Sequence, residues 1–200
     1  ATEVASAEGL GLIVAGAEHN LGFLCGRQGD VPQALHHFAR AEVAYEELDR
    51  PGRLMAVLGV DRCEVLLGAG LTREARQEAA SAVAGFESAG ATADAHEARL
   101  LLARAELATG DAEAARRTAA GAAAGFTDAG RLTWAVLAEY TALVAEVTAT
   151  EDRDLPPAGL PDRVQQMVDR LDSAGWVTEA AHARTFLGRI ALAVGRTDLV

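Results

Sequence analysis

The feature that most constrains this chain is a repeat. The string FESAG at 86–90 recurs as FTDAG at 126–130 and as LDSAG at 171–175, and YEELD at 45–49 holds the same place one unit earlier. A second set of marks falls between these strings: Gly29-Asp30, Gly70-Leu71, Gly110-Asp111 and Gly195-Arg196. Gly9 to Gly29, Gly90 to Gly110 and Gly175 to Gly195 are each twenty residues apart. Each unit is therefore two segments of about twenty residues, both ended by a glycine or its substitute. Self-similarity of this period points to stacked supersecondary units.

The segments between the marks carry helical apolar spacing, as in LLLARAELA (100–108) and WAVLAEYTALVAEV (134–147), with none of the alternation of a half-buried strand. Composition agrees: half the residues are apolar, yet aromatics make up only 4% and alanine is abundant, which favours helix over sheet. Glycine just past a helix end supplies a left-handed cap, and Asp30 or Asp111 is placed to cap the helix that follows. Asp30 with Gln33 has the spacing of a capping box. The expected fold is all-α, an α-solenoid of antiparallel helix pairs with a period of about 40 residues.

The units read as 9–49, 50–89, 90–129, 130–174 and a partial 175–200, with 1–8 as the tail of a preceding second helix. Both ends fall inside the pattern, so the chain is expected to be a piece of a longer protein. The exposed apolar ends are expected to fray or to drive self-association. The segment 148–162 holds three of the five prolines and accounts for the extra length of its unit, and it is expected to be a loop.

Leu21, Gly22, Gly29, Ala34, Phe38 and Ala41 resemble the tetratricopeptide repeat pattern. In that pattern small residues, here Gly22, Ala34 and Ala41, let the two helices of a pair approach closely, while Phe38 fills the space between pairs. Leu187, Gly188 and Gly195 stand at equivalent spacing in the last unit. The middle units depart from the pattern, with Cys63, Ala103 and Leu143 where Gly22 stands, and the period exceeds the usual one. More narrowly, AEHNLGFLCGRQGDVPQAL, AGLTREAR and IALAVGRTD look like the repeat array of actinobacterial CHAT-domain proteins, in which such repeats precede a caspase-like peptidase domain. The resemblance implies a bacterial, cytoplasmic protein-binding array. It leaves open a second role, intramolecular control of an attached peptidase or transcription-regulator domain.

Several functions are disfavoured by the residues themselves. The formal net charge is −11 and every basic side chain is arginine, so no basic stripe offers itself to a phosphate backbone. With no lysine, a Walker-type phosphate loop cannot be built. GLGLIVAG at 9–16 lacks the preceding strand of a dinucleotide-binding turn. The apolar run ending at Glu18 is too short to span a bilayer, and no basic leader precedes it. Cys25 and Cys63 have no paired spacing and read as reduced core thiols. His19, His36, His37, His96 and His182 have no second ligand at a recognised metal spacing, and adjacent His36 and His37 point about 100° apart on a helix. No peptidase signature surrounds either cysteine. Neither catalytic residues, nor a cofactor, nor a metal is expected within this chain.

What remains is a surface. The first helix of each pair is expected to line a concave groove. Six residues before each glycine mark, or before Thr150 where the fourth unit has a substitute, stand Phe23, Glu64, Arg104, Val144 and Arg189; ten before stand His19, Val60, Leu100, Tyr140 and Thr185; thirteen before stand Gly16, Val57, Glu97, Leu137 and His182. Aromatic anchors mixed with arginines suit recognition of a peptide or protein segment. The groove residues expected to matter are His19, Phe23, Glu64, Glu97, Arg104, Tyr140, His182 and Arg189, with Arg104 and Arg189 holding acidic groups on either side of Tyr140.

Overall fold

The computed structural model describes residues 2–48, 52–149 and 159–196, with side chains from residue 10 onward. Among these residues there are nine α-helices and no strand: α1 (Thr2–Arg27), α2 (Val31–Glu46), α3 (Gly52–Gly68), α4 (Thr72–Ser88), α5 (Thr92–Ala108), α6 (Ala112–Asp128), α7 (Leu132–Thr148), α8 (Leu160–Ser173) and α9 (Val177–Ala193). Helices joined by the three-residue turns 28–30, 69–71, 89–91, 129–131 and 174–176 pack side by side, which such short turns permit only in antiparallel sense. The all-α helical repeat with its period of about 40 residues is thus the fold of the chain.

The turns work as the glycine spacing predicts. Gly29 (φ 83°) and Gly110 (φ 85°) take the left-handed conformation that a Cβ would disfavour. Beyond Gly29 the Asp30 N–H donates to the Cys25 carbonyl at 2.9 Å, a bond across five residues that closes the end of α1, and Leu71, Ala91, Arg131, Trp176 and Arg196 repeat it. Asp30 and Asp111 accept from the backbone N–H groups of Gln33 and Ala114, each at 3.2 Å, capping α2 and α6.

Two boundaries differ from expectation. α1 continues through Gly9, where the spacing predicts a cap. A glycine permits a left-handed turn without compelling one, and Gly11 and Gly16 in the same helix are likewise ordinary helical residues. The proline-rich loop is also shorter than 148–162. Thr148 closes α7, and Leu160, Pro161 and Asp162 form the first turn of α8. Proline is tolerated there because the first helical N–H groups lack intrahelical acceptors anyway. Residues 150–158 of that segment lie outside the described residues.

The helices group into two compact units, 1–109 with α1–α5 and 110–200 with α6–α9, so the two helices of the third sequence unit fall in different units. In the first, α2 packs on both α1 and α3, and α4 packs on both α3 and α5. Ala34, Phe38, Ala41 and Tyr45 of α2 form a buried cluster with Ala15, Leu58 and Val65. A Cβ added to Gly22 would stand 2.6 Å from Phe38 Cδ1, so the absence of a side chain at Gly22 is what lets the ring in. In the second unit α7 lies between α6 and α8, and α9 packs on α8. Trp134 meets Phe126 at 5.7 Å and Trp176 edge-on at 5.1 Å, and Arg131 lies 4.9 Å over the Trp134 ring.

Candidate functional site

In the first unit the C-terminal halves of α1, α3 and α5 enclose an open cleft of about 800 Å³. Phe23, Glu64 and Arg104, the three residues six places before a glycine mark, all line it. Arg27, one helical turn beyond Phe23, joins them, with Leu101 and Val31 supplying apolar wall. Phe23 is half-buried against the core of α1, α2 and α3, while Glu64, Arg27 and Arg104 are exposed.

Arg40, Arg53, Arg62, Arg76 and Arg99 each pair with a carboxylate. Arg27 and Arg104 make no ion pair among the described residues, yet both act on Glu64 from a distance. The Glu64 carboxyl is raised above its ordinary range, first by desolvation and then by the negative charge of Asp61. Arg104 and Arg27 offset part of that rise.

His19 does not line the cleft. Ten places before the mark is four residues back from Phe23, a rotation of about 40° on a helix, and this carries the side chain into the seam between α1, α2 and α3. There His19 is buried, with Nδ1 3.2 Å from Tyr45 Oη and Nε2 2.8 Å from Asp61 Oδ2. Tyr45 is raised above its usual range by burial and then by Asp61. Leu100, in the same row, is buried too, and Val60 is half-buried. Glu97 is half-buried on α5, in the row with Val57 and Gly16.

In the second unit Tyr140 is half-buried on α7, and His182 and Arg189 stand exposed on one side of α9, seven residues apart. A groove of about 530 Å³ runs between α6, α7 and α8, but its charges satisfy one another. Arg163 holds Glu146 by two parallel bonds of 2.8 and 2.9 Å, Arg170 pairs with Glu139, and Arg116 donates to Glu113 at 2.8 Å. A ligand entering there has to displace pairs already made. One entering the first cleft does not.

Local sequence reasoning missed Arg27, although its place four residues after Phe23 puts it on the same face. It also missed Arg62. That guanidinium, largely buried, bonds to Glu42 at 2.8 Å and Glu78 at 3.0 Å and so ties α2, α3 and α4 together. Burial alone would lower its pKa; the two carboxylates outweigh that and raise it. On α1, Glu18 pairs with His37 at 2.8 Å and with Arg40 at 2.7 Å. Cys63 is fully buried, its thiol pushed up to about 12, first by burial and then by Glu64 and Glu78. Among the described residues no three His, Cys, Asp or Glu side chains come together as a metal site, and no helix is long and apolar enough to cross a membrane.

No family model matches the chain, and no curated protein or solved structure matches it.

Proposed function

We propose that this chain is a tetratricopeptide-like, non-enzymatic interaction module of the cytoplasm that holds a protein or peptide segment in the cleft of its first unit. The observation that carries the reading is the pair Arg27 and Arg104. Both line one cleft with Phe23, and neither has an ion-pair partner among the described residues of a chain whose net charge is −11. Arg40, Arg53, Arg62, Arg76 and Arg99 of the same unit are engaged in ion pairs, and Arg73 on α4 does not line the cleft. A guanidinium binds a carboxylate through two parallel hydrogen bonds, and Phe23 and Leu101 offer apolar area beside it. The volume lies within the range of about 300–1,000 Å³ typical of ligand sites. The segment that fits bears an acidic side chain or terminal carboxylate next to an apolar one.

Selection of a random peptide-display library on the 200-residue chain tests this. Enriched peptides are expected to share an acidic residue beside an apolar one. Arg27→Ala and Arg104→Ala should each weaken their binding by about 1–3 kcal/mol without moving the melting temperature. Arg53→Ala, which removes an exposed pair with Asp94 away from the cleft, should leave binding unchanged. Enriched peptides that bind the arginine variants as tightly as the parent would refute the reading.

A further inference from the structure

Of the residues lining the cleft of the first unit, only Arg27, Glu64 and Arg104 are charged; the others are apolar or glycine. α3 packs on both α1 and α5, so Glu64 stands on the middle helix with one guanidinium supplied from either side. Both act on its carboxyl through space, without a hydrogen bond to it. Glu146 in the second unit is different, because Arg163 grips it by two bonds of 2.8 and 2.9 Å. Glu64 is exposed and free to act on whatever enters the cleft.

The charges can be counted. Two guanidiniums against one carboxylate leave the lining with a single surplus positive charge. Close by, Asp61 lies one turn before Glu64 on α3, where His19 Nε2 meets its Oδ2 at 2.8 Å. Negative charge is already disfavoured here: desolvation and Asp61 raise the Glu64 carboxyl even though Arg104 and Arg27 oppose the rise. A ligand's first carboxylate meets the surplus positive charge. A second has none left to meet and lies beside Glu64, and like charges brought together out of bulk water repel strongly.

We propose that Glu64 is the specificity-determining residue of this cleft, admitting a segment that carries one carboxylate and rejecting one that carries two adjacent acidic residues or a phosphate group. The inference rests on the reading of the cleft as a site for an acidic segment, and adds to it the number of charges that segment bears. Selection of this kind works through a repulsive element set against the wrong ligand. Without Glu64 the order would reverse. A phosphate carries about −1.5 to −2 charges at pH 7, and two guanidiniums in one cleft suit it well.

The test starts from the tightest display-enriched peptide, made in three versions: a single glutamate, two adjacent glutamates, and phosphoserine in place of the glutamate. Each is labelled for fluorescence anisotropy and titrated with the 200-residue chain at pH 8, above the carboxyl range. The single-glutamate peptide is expected to bind at least about tenfold more tightly than the other two. Glu64→Gln keeps the shape of an exposed side chain, so it should remove that preference without moving the melting temperature. The phosphoserine peptide should then bind at least about tenfold more tightly than it binds the parent. Glu64→Asp, which keeps the charge, should keep the parent's preference. Equal or tighter binding of either doubly charged peptide by the parent, or a preference that survives in Glu64→Gln, would overturn the proposal. If Arg27→Ala still weakens the single-glutamate peptide in that case, the cleft remains the site and only the role of Glu64 is lost. If Arg27→Ala changes nothing, the reading of the cleft falls and this inference falls with it.

Discussion

Gly22 and Gly188 occupy equivalent places in the repeat pattern, yet the structure makes opposite predictions for adding one methyl group to each. At Gly22 the new Cβ would stand 2.6 Å from Phe38 Cδ1, 2.7 Å from Cε1 and 3.1 Å from the Ala34 carbonyl oxygen. Comfortable carbon contacts begin near 3.5 Å, so the overlap is about 1 Å. Phe38 is fully buried and cannot swing into solvent. Overpacking of this kind costs about 1–3 kcal/mol, and the better helix propensity of alanine returns about 0.5–1 kcal/mol. Gly22→Ala should therefore destabilise by about 1–2 kcal/mol. At Gly188 nothing lies within 4 Å of the added Cβ, so only the propensity term acts and Gly188→Ala should stabilise by about 0.5–1 kcal/mol. Urea unfolding followed by circular dichroism reads both as shifts of the midpoint at constant slope. Phe38→Leu, costly alone, should lose little more when combined with Gly22→Ala, because the ring that clashes is gone. The reasoning is refuted if Gly22→Ala stabilises the chain as much as Gly188→Ala does.

Other consequences are as direct. His19→Ala leaves Tyr45 and Asp61 without their shared partner in the seam and should cost about 1–3 kcal/mol in urea unfolding. The Glu146 carboxyl is held below its ordinary 4.5 by hydrogen bonds from Arg163, so the stability it contributes is present above that pH and lost as pH falls through the depressed value. NMR titration should show the Glu146 midpoint moving up in Arg163→Ala. The Cys63 thiol has the opposite sign. With its pKa raised from 9.0 to about 12, its contribution is intact below pH 9.0 and is lost as pH rises toward 12. Cys63→Ala should flatten the alkaline fall in stability. In the native protein at pH 8 an alkylating reagent should leave Cys63 unmodified, while unfolded chain reacts.

How much of this was legible beforehand follows the range of the forces involved. Helix ends at 29, 70, 90, 110, 130, 175 and 195 are set by local chemistry, a glycine free to turn left-handed between two apolar-periodic segments, and they appear where the spacing puts them. Gly9 has the same local signature and does not turn, since a permissive residue carries no instruction of its own. Pro161 reads as a loop residue but starts a helix, because the first turn tolerates a missing N–H. The cleft was half visible. Phe23, Glu64 and Arg104 share a face by simple counting, but His19, one turn before Phe23, is buried because Tyr45 of α2 and Asp61 of α3 meet it, contacts that helical periodicity alone cannot place. Arg62 and its two carboxylates come from three helices, and no window along the chain contains them.

The central claim is that the first unit holds an acidic peptide segment between Arg27 and Arg104. Chemical-shift mapping on the ¹⁵N-labelled chain, with a peptide enriched by display, tests it most directly. The account predicts that the largest amide shifts fall on residues 23–31, 64–69 and 101–104, and that Arg27→Ala with Arg104→Ala abolishes them. Shifts that instead track the outer face of α4, or persist undiminished in the double variant, would contradict it.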